Sequence, residues 1–102
     1  MMNDSDRREN VPGTIYIIHF AEPFHHARHY VGWTEGAVED RIAYHRAGRG
    51  AILLRAVNEA GIGWSVVDTF PGTRHDERRI KKSHHRERYC PVCRAERKEG
   101  VG

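Results

Sequence analysis

A chain of 102 residues, 38% hydrophobic and 30% charged, suffices for one compact domain with a modest core and leaves no room for a second. It contains no run of about 18 apolar residues that could span a membrane. The opening Met1-Met2-Asn3-Asp4-Ser5-Asp6-Arg7-Arg8-Glu9-Asn10 has no apolar segment resembling a secretion signal, so a cytoplasmic domain with a disordered polar N-terminus over residues 1–12 is expected. The formal charge of +3 is unevenly shared: residues 1–72 hold 7 Lys/Arg against 9 Asp/Glu, and residues 73–102 hold 10 against 5. A basic final third on a near-neutral body fits a polyanion partner such as nucleic acid, or a solvated tail.

The β-rich run Gly13–Phe20 predicts a first strand, and Glu22-Pro23 marks a loop over Ala21–Ala27. A second strand over Arg28–Trp33 completes a hairpin. Thr34 is placed to cap a helix over Gly36–Ala47, whose start carries Glu35, Glu39 and Asp40 and whose end meets Gly48. Val38 and Ile42 are expected to face the core. A second helix over Ala51–Ala60 shows an apolar stripe at Ile52, Leu53, Ala56, Val57 and Ala60, stopped by Gly61. Gly63–Phe70 reads as a third strand closed by Pro71-Gly72. A third helix starts at Thr73, with Asp76 as capping-box partner, and runs to about Lys82. Its only large aliphatic residue is Ile80. The order β-β-α-α-β-α predicts an α+β domain over residues 13–84, a three-stranded, mostly antiparallel sheet flanked by helices, followed by a basic tail over 85–102.

Each hairpin strand contributes a tyrosine, Tyr16 and Tyr30, and the next helix contributes Arg41 and His45, one turn apart on one face. Taken singly, the tyrosines read as strand packing, Arg41 and His45 as a solvated helix face, and Glu77 as a first-turn acid paired with Lys81 at i+4. In combination, Gly13-Thr14-Ile15-Tyr16, Tyr30-Val31-Gly32-Trp33-Thr34, Arg41, His45 and Glu77-Arg78-Arg79-Ile80-Lys81 resemble the GIY-YIG nuclease superfamily over roughly Gly13 to Lys82. The resemblance implies cleavage of DNA phosphodiesters with one divalent metal, Mg²⁺ or Mn²⁺, held by Glu77. Arg41 would fork onto the scissile phosphate. Tyr16 would be the general base with His45 relaying its proton, and Tyr30 would orient water or phosphate; the two tyrosine roles could be exchanged. Gly32 would let the backbone approach closely beside the second tyrosine, or mark a plain bulge. The asparagine that the family commonly carries beyond its metal glutamate has no counterpart here, since Asn3, Asn10 and Asn58 all precede Glu77. The basic run Arg74, Arg78, Arg79, Lys81, Lys82, Arg86 and Arg88 lies beside Glu77, where a nucleic-acid backbone would pass. Arg74, Arg78, Lys81, Lys82 and Arg86 are the candidate contacts.

The tail carries Cys90 and Cys93 in a Cys-x-x-Cys turn suited to placing two thiolates on one metal. Zinc would need two further ligands, from His84 and His85 or from His75. A free or redox-active pair and inert turn cysteines are the alternatives, while a structural disulfide does not suit a reducing compartment. His25-His26 reads as a loop pair. Two functions from different classes emerge: a minimal metal-dependent endonuclease, nicking or structure-directed, with DNA as partner and RNA not excluded; or a non-catalytic nucleic-acid-binding module on the same fold, zinc-bearing or not. A thiol-redox protein is a weaker third, for no βαβ setting surrounds the cysteines.

Overall fold

The computed structural model describes residues 10–83 and 86–101, the last five as backbone only. The disorder expected at the N-terminus therefore falls mainly on residues outside this range. The architecture is the expected α+β one: β1 (Gly13–Phe24), β2 (Ala27–Thr34), α1 (Val38–Arg46), α2 (Ile52–Glu59), β3 (Trp64–Gly72), α3 (Arg74–Lys82), a 3₁₀ turn (Arg86–Tyr89) and α4 (Pro91–Val101). The sheet is wholly antiparallel with order β2-β1-β3, which puts the first strand in the middle and β2 at an edge.

Ile15, Tyr16, Ile17, Ile18 and Phe20 of β1 are all buried, because helices cover both faces of the central strand. Strand alternation divides them. Tyr16, Ile18 and Phe20 join Leu54, Val57, Ile62 and Trp64, with Val38 and Ile42 packed against them, in a layer under α1 and α2. Ile15 and Ile17 join Val31, Ile80 and Cys90 on the other face, under α3 and the C-terminal segment. A bulge in β3 keeps the two sets in step: Ile17 pairs with Asp68 but Ile18 with Val66, so Val67 is the extra residue.

Several boundaries move. β1 runs through Glu22-Pro23 to Phe24, and the hairpin closes on His25-His26, with His25 in the left-handed region at φ 54°. Pro71-Gly72 belongs to β3, opposite Thr14 and Gly13; as an edge strand β3 tolerates a residue without an N–H. Helix α1 starts three residues later than Thr34 would have it, behind Ala37, which makes no side-chain cap. Gly48 (φ 77°) and Gly61 (φ 73°) terminate α1 and α2 in the left-handed conformation glycine allows. The buried positions of α2 are Leu54 and Val57, while Ile52 is 87% exposed, so the stripe drawn through Ile52 is rotated. Thr73 and Asp76 form the expected reciprocal capping box on α3.

The largest departure is at the C-terminus. Residues 86–96 are not a separate tail: Cys90 is fully buried in the second core layer, and Tyr89 stacks on Phe70 with ring centroids 6.1 Å apart. Pro91 opens α4 at the one helical position where its missing N–H costs nothing.

Candidate functional site

The centre of the first site is a buried hydrogen bond linking β1 to α1. Tyr16 Oη and His45 Nε2 lie 2.7 Å apart, with the residues 1% and 0% exposed. Two glycines make the space. Gly32 stands opposite Tyr16 in the β1–β2 register, and a Cβ there would overlap the phenol ring. A Cβ on Gly50 would overlap the His45 imidazole. The close approach expected at Gly32 is therefore real, but the group it admits is the first tyrosine and not the second.

The ring of His45 is held from behind. The Ala51 N–H donates to Nδ1 at 3.3 Å, and the Asn58 amide donates to the His45 carbonyl at 3.1 Å. Asn58 Oδ1 in turn accepts from Trp64 Nε1 at 2.8 Å. Asn58 is thus employed in the scaffold behind the imidazole. Because a backbone N–H can only donate, Nδ1 must be the acceptor nitrogen, and a neutral His45 carries its proton on Nε2. Burial, followed by the nearby Arg41 charge, lowers the His45 pKa to about 4, so the ring is neutral at pH 7. The bond therefore runs from His45 Nε2–H to Tyr16 Oη. That direction suits a histidine that stabilises negative charge on the phenol oxygen, in place of the expected relay that would take the phenol's proton.

Burial raises the Tyr16 pKa to about 12, with the neighbouring Tyr30 adding to the rise. Arg41 opposes it through both a hydrogen bond and its charge, and the Glu77 carboxylate raises it further. The four groups named by resemblance with Tyr16 are therefore its electrostatic or hydrogen-bonded neighbours. Tyr30 and His45 rings stand edge to face at 5.6 Å, and the Tyr16 and Tyr30 rings are 6.2 Å apart.

Glu77 reaches this group around the sheet edge. Helix α3 buries Ile80 on the face opposite the phenols, yet it runs beside edge strand β2 and carries Glu77 and Lys81 toward Tyr30. A polar pocket of about 240 Å³ is lined there by Tyr30, Trp33, Arg41, Arg74, Glu77 and Arg78. Tyr16 lies behind this lining, not in it. Glu77 Oε1 takes an ion pair from Lys81 Nζ at 2.7 Å, the i, i+4 pair anticipated as its structural role. Of the candidate nucleic-acid contacts, Arg74 and Arg78 line the pocket and Arg74 lies over the Trp33 ring at 5.3 Å. Lys82 is exposed on α3. Arg86 is elsewhere: it donates to the Lys81 carbonyl at 3.1 Å and lines a different cavity with His26, Arg28, His29, Glu87 and Cys93.

A second constellation lies on the α3 side of the sheet. His19 of β1 and His29 of β2 are directly paired across the hairpin. Cys90, just ahead of α4, and Cys93, in its first turn, close over them. One ligand atom from each of the four lies within 4.8 Å of every other, an arrangement that could hold a metal ion. His84 and His85, expected as partners of the cysteines, lie outside the described residues; His75 is exposed on α3, away from this group. Burial and then the His19 charge lower the His29 pKa, which keeps that ring neutral. Without a metal, burial and then Cys90 push the Cys93 thiol up to about 11, which leaves almost no thiolate and argues against a redox nucleophile.

His19 and His29 escaped sequence reading because a loop drawn over Ala21–Ala27 leaves the hairpin register undefined. The signal was present: both sit at odd positions in phase with Ile15, Ile17 and Val31, the residues of the second core layer.

No family model, curated protein or solved structure matches this chain. Among the described residues no helix is long and apolar enough to cross a membrane.

Proposed function

We propose that this chain is a minimal GIY-YIG-type endonuclease domain that hydrolyses DNA phosphodiesters at the pocket between β2, α1 and α3, using one Mg²⁺ or Mn²⁺. The observation that supports the reading best is the convergence of Tyr30, Arg41, Arg74, Glu77 and Arg78 on one polar pocket, backed by the buried Tyr16–His45 bond. Three arginines around a single carboxylate suit a phosphate far better than a neutral ligand.

Hydrolysis requires water to attack phosphorus, a proton to leave that water, and the ester oxygen to depart. Arg41 and its neighbours Arg74 and Arg78 hold the phosphate and offset the charge that builds on its non-bridging oxygens. Tyr16 would accept that proton as the phenolate, its own phenol proton having first passed to solvent; His45 Nε2–H and Arg41, donating to its oxygen, favour that form against the burial that holds its pKa at about 12. Tyr30, at the pocket wall, positions the water or the phosphate. Glu77 is the only carboxylate among the described residues of the lining, and one carboxylate supplemented by waters and phosphate oxygens is a set that Mg²⁺ accepts. An ion there would displace Lys81 and supply a Lewis acid for the phosphate oxygens. Lys82 and the pocket arginines would add salt-sensitive contacts to the nucleic-acid backbone.

The test is nicking of supercoiled plasmid with Mg²⁺ or Mn²⁺ and with chelator, for wild type, Arg41→Ala and Glu77→Ala. Metal-dependent nicking that falls at least about 100-fold in both variants is expected, the scale of losing a principal charge-stabilising group. Equal background in all three refutes catalysis. The ion pair occupying Glu77 favours the second reading, a non-cutting nucleic-acid-binding module. Salt-dependent DNA binding without nicking would establish that reading instead.

A further inference from the structure

We propose that His19, His29, Cys90 and Cys93 form a closed structural zinc site that fastens the C-terminal helix to the β1–β2 ribbon. This site is separate from the pocket at Glu77 and stands whether or not the chain is a nuclease.

Four of the six separations among the ligand atoms are close to those of a zinc tetrahedron, and the other two lie within 4.8 Å. With Zn–S near 2.3 Å and Zn–N near 2.0–2.1 Å, a regular tetrahedron has edges of about 3.3 Å between nitrogens and about 3.5 Å between nitrogen and sulfur. His19 Nδ1 and His29 Nε2 lie 3.4 Å apart. The nitrogen–sulfur separations are 3.1 Å from His29 to Cys93, 3.4 Å from Cys90 to His19 and 3.6 Å from Cys93 to His19.

Hydrogen bonding alone does not account for the cluster. His19 Nδ1 faces His29 Nε2, Cys90 Sγ and Cys93 Sγ at once, yet a ring nitrogen offers one lone pair or one proton. It can satisfy one such neighbour, whereas a cation at the centre satisfies all four atoms together. The donor set selects the ion. Two thiolates and two imidazoles without a carboxylate suit a borderline-soft, tetrahedral ion and are poor ligands for Mg²⁺ or Ca²⁺. Four protein ligands leave no open position, so the ion would be structural and not catalytic. The Cys93 N–H, 3.5 Å from Cys90 Sγ, adds the backbone contact that orients a ligating sulfur.

The site also explains why a segment with little apolar surface docks at all. Among the described residues from Arg86 onward, only Cys90 is fully buried, with Tyr89 and Cys93 packed partly against the same core layer. Arg86, Arg88, Arg94 and Glu96 contribute nothing to a core, so the metal supplies the attachment that burial does not.

Protein without a polyhistidine tag, expressed with zinc, should contain one zinc per chain by elemental analysis. Replacement by Co²⁺ should give the intense d–d bands of a tetrahedral ion with thiolate-to-cobalt charge transfer. Cys90→Ser and His19→Asn should each lose the metal, while His84→Asn/His85→Asn should keep it. Trypsin should cut within residues 86–96 about tenfold faster after chelation than before, as a released segment opens locally. The wild-type cobalt spectrum needs no variant to fold. Purified protein with less than about a tenth of an equivalent of zinc and no tetrahedral cobalt spectrum overturns the proposal. So does metal lost in the His84/His85 variant but kept in His19→Asn, or a trypsin rate that chelation leaves unchanged. None of these measurements involves nucleic acid, so a failure here is distinct from a failure of the nuclease reading.

Discussion

Substituting Gly32 by alanine tests how the Tyr16–His45 pair is built. Gly32 faces Tyr16 across the β1–β2 ladder, and the added Cβ would fall within the phenol ring. The ring has nowhere to go: it is 1% exposed, packed in the first core layer, and tied to His45 at 2.7 Å. Overpacking a filled core costs about 1–3 kcal/mol. If the phenol yields, the buried His45 Nε2–H loses its acceptor, for a further cost of about 1–3 kcal/mol. Gly32→Ala should therefore lower stability by roughly 2–5 kcal/mol, a large share of what a domain this size has. Two other glycines calibrate the effect. A Cβ on Gly36 or Gly48 meets nothing within 4 Å, but Gly48 sits at φ 77° and Gly36 has no such constraint. Gly48→Ala should cost about 1 kcal/mol and Gly36→Ala should stay within about 0.5 kcal/mol of wild type. Urea denaturation of all four proteins, at fixed metal content, reads these differences as midpoint shifts of about 1 M or more for Gly32→Ala. A Gly32→Ala midpoint indistinguishable from that of Gly36→Ala would refute the packing on which the site is built.

Two further predictions concern the same imidazole. The His45 pKa, near 6.5 in the unfolded chain, falls to about 4 in the fold, so the unfolded state takes up a proton first as pH drops. Stability associated with His45 is present above pH 6.5 and is lost between 6.5 and 4, by on the order of 3 kcal/mol. Wild type should lose that much more stability than His45→Gln over this interval, and parallel stability curves would show that the ring is not held neutral by burial. Asn58→Ala would strand the Trp64 N–H and the His45 carbonyl together. A loss of about 1–3 kcal/mol by thermal or urea unfolding is expected, and an unchanged midpoint would mean that water takes over both bonds.

What could be read in advance follows the range of the forces involved. The three strands and first three helices, the Thr73–Asp76 capping box and the glycine stops at Gly48 and Gly61 depend on neighbours within a turn of chain, and these appear in the anticipated order with shifted boundaries. The β-β-α-α-β-α order was therefore legible from residue pattern alone. So was the one-turn spacing that puts Arg41 beside His45. The pairing of Glu77 with Lys81 is equally local, and the structure shows it at 2.7 Å.

The tertiary structure decided whatever depends on register or on packing between distant segments. A period-2 pattern says that His19 and His29 face the second core layer, but only a hairpin closed on His25-His26 sets them opposite each other. Nothing in a Cys-x-x-Cys spacing reveals which histidines will meet it, because Cys90 lies 71 residues from its His19 contact. The direction of the Tyr16–His45 bond likewise hangs on the Ala51 N–H, which reaches the imidazole only after α1 has turned into α2. Short-range chemistry in the sequence thus determined the elements and the residue types at hand. Chain closure over long separations determined which of those residues became neighbours, since side-chain contacts across a sheet follow from strand register and helix placement, not from proximity along the chain.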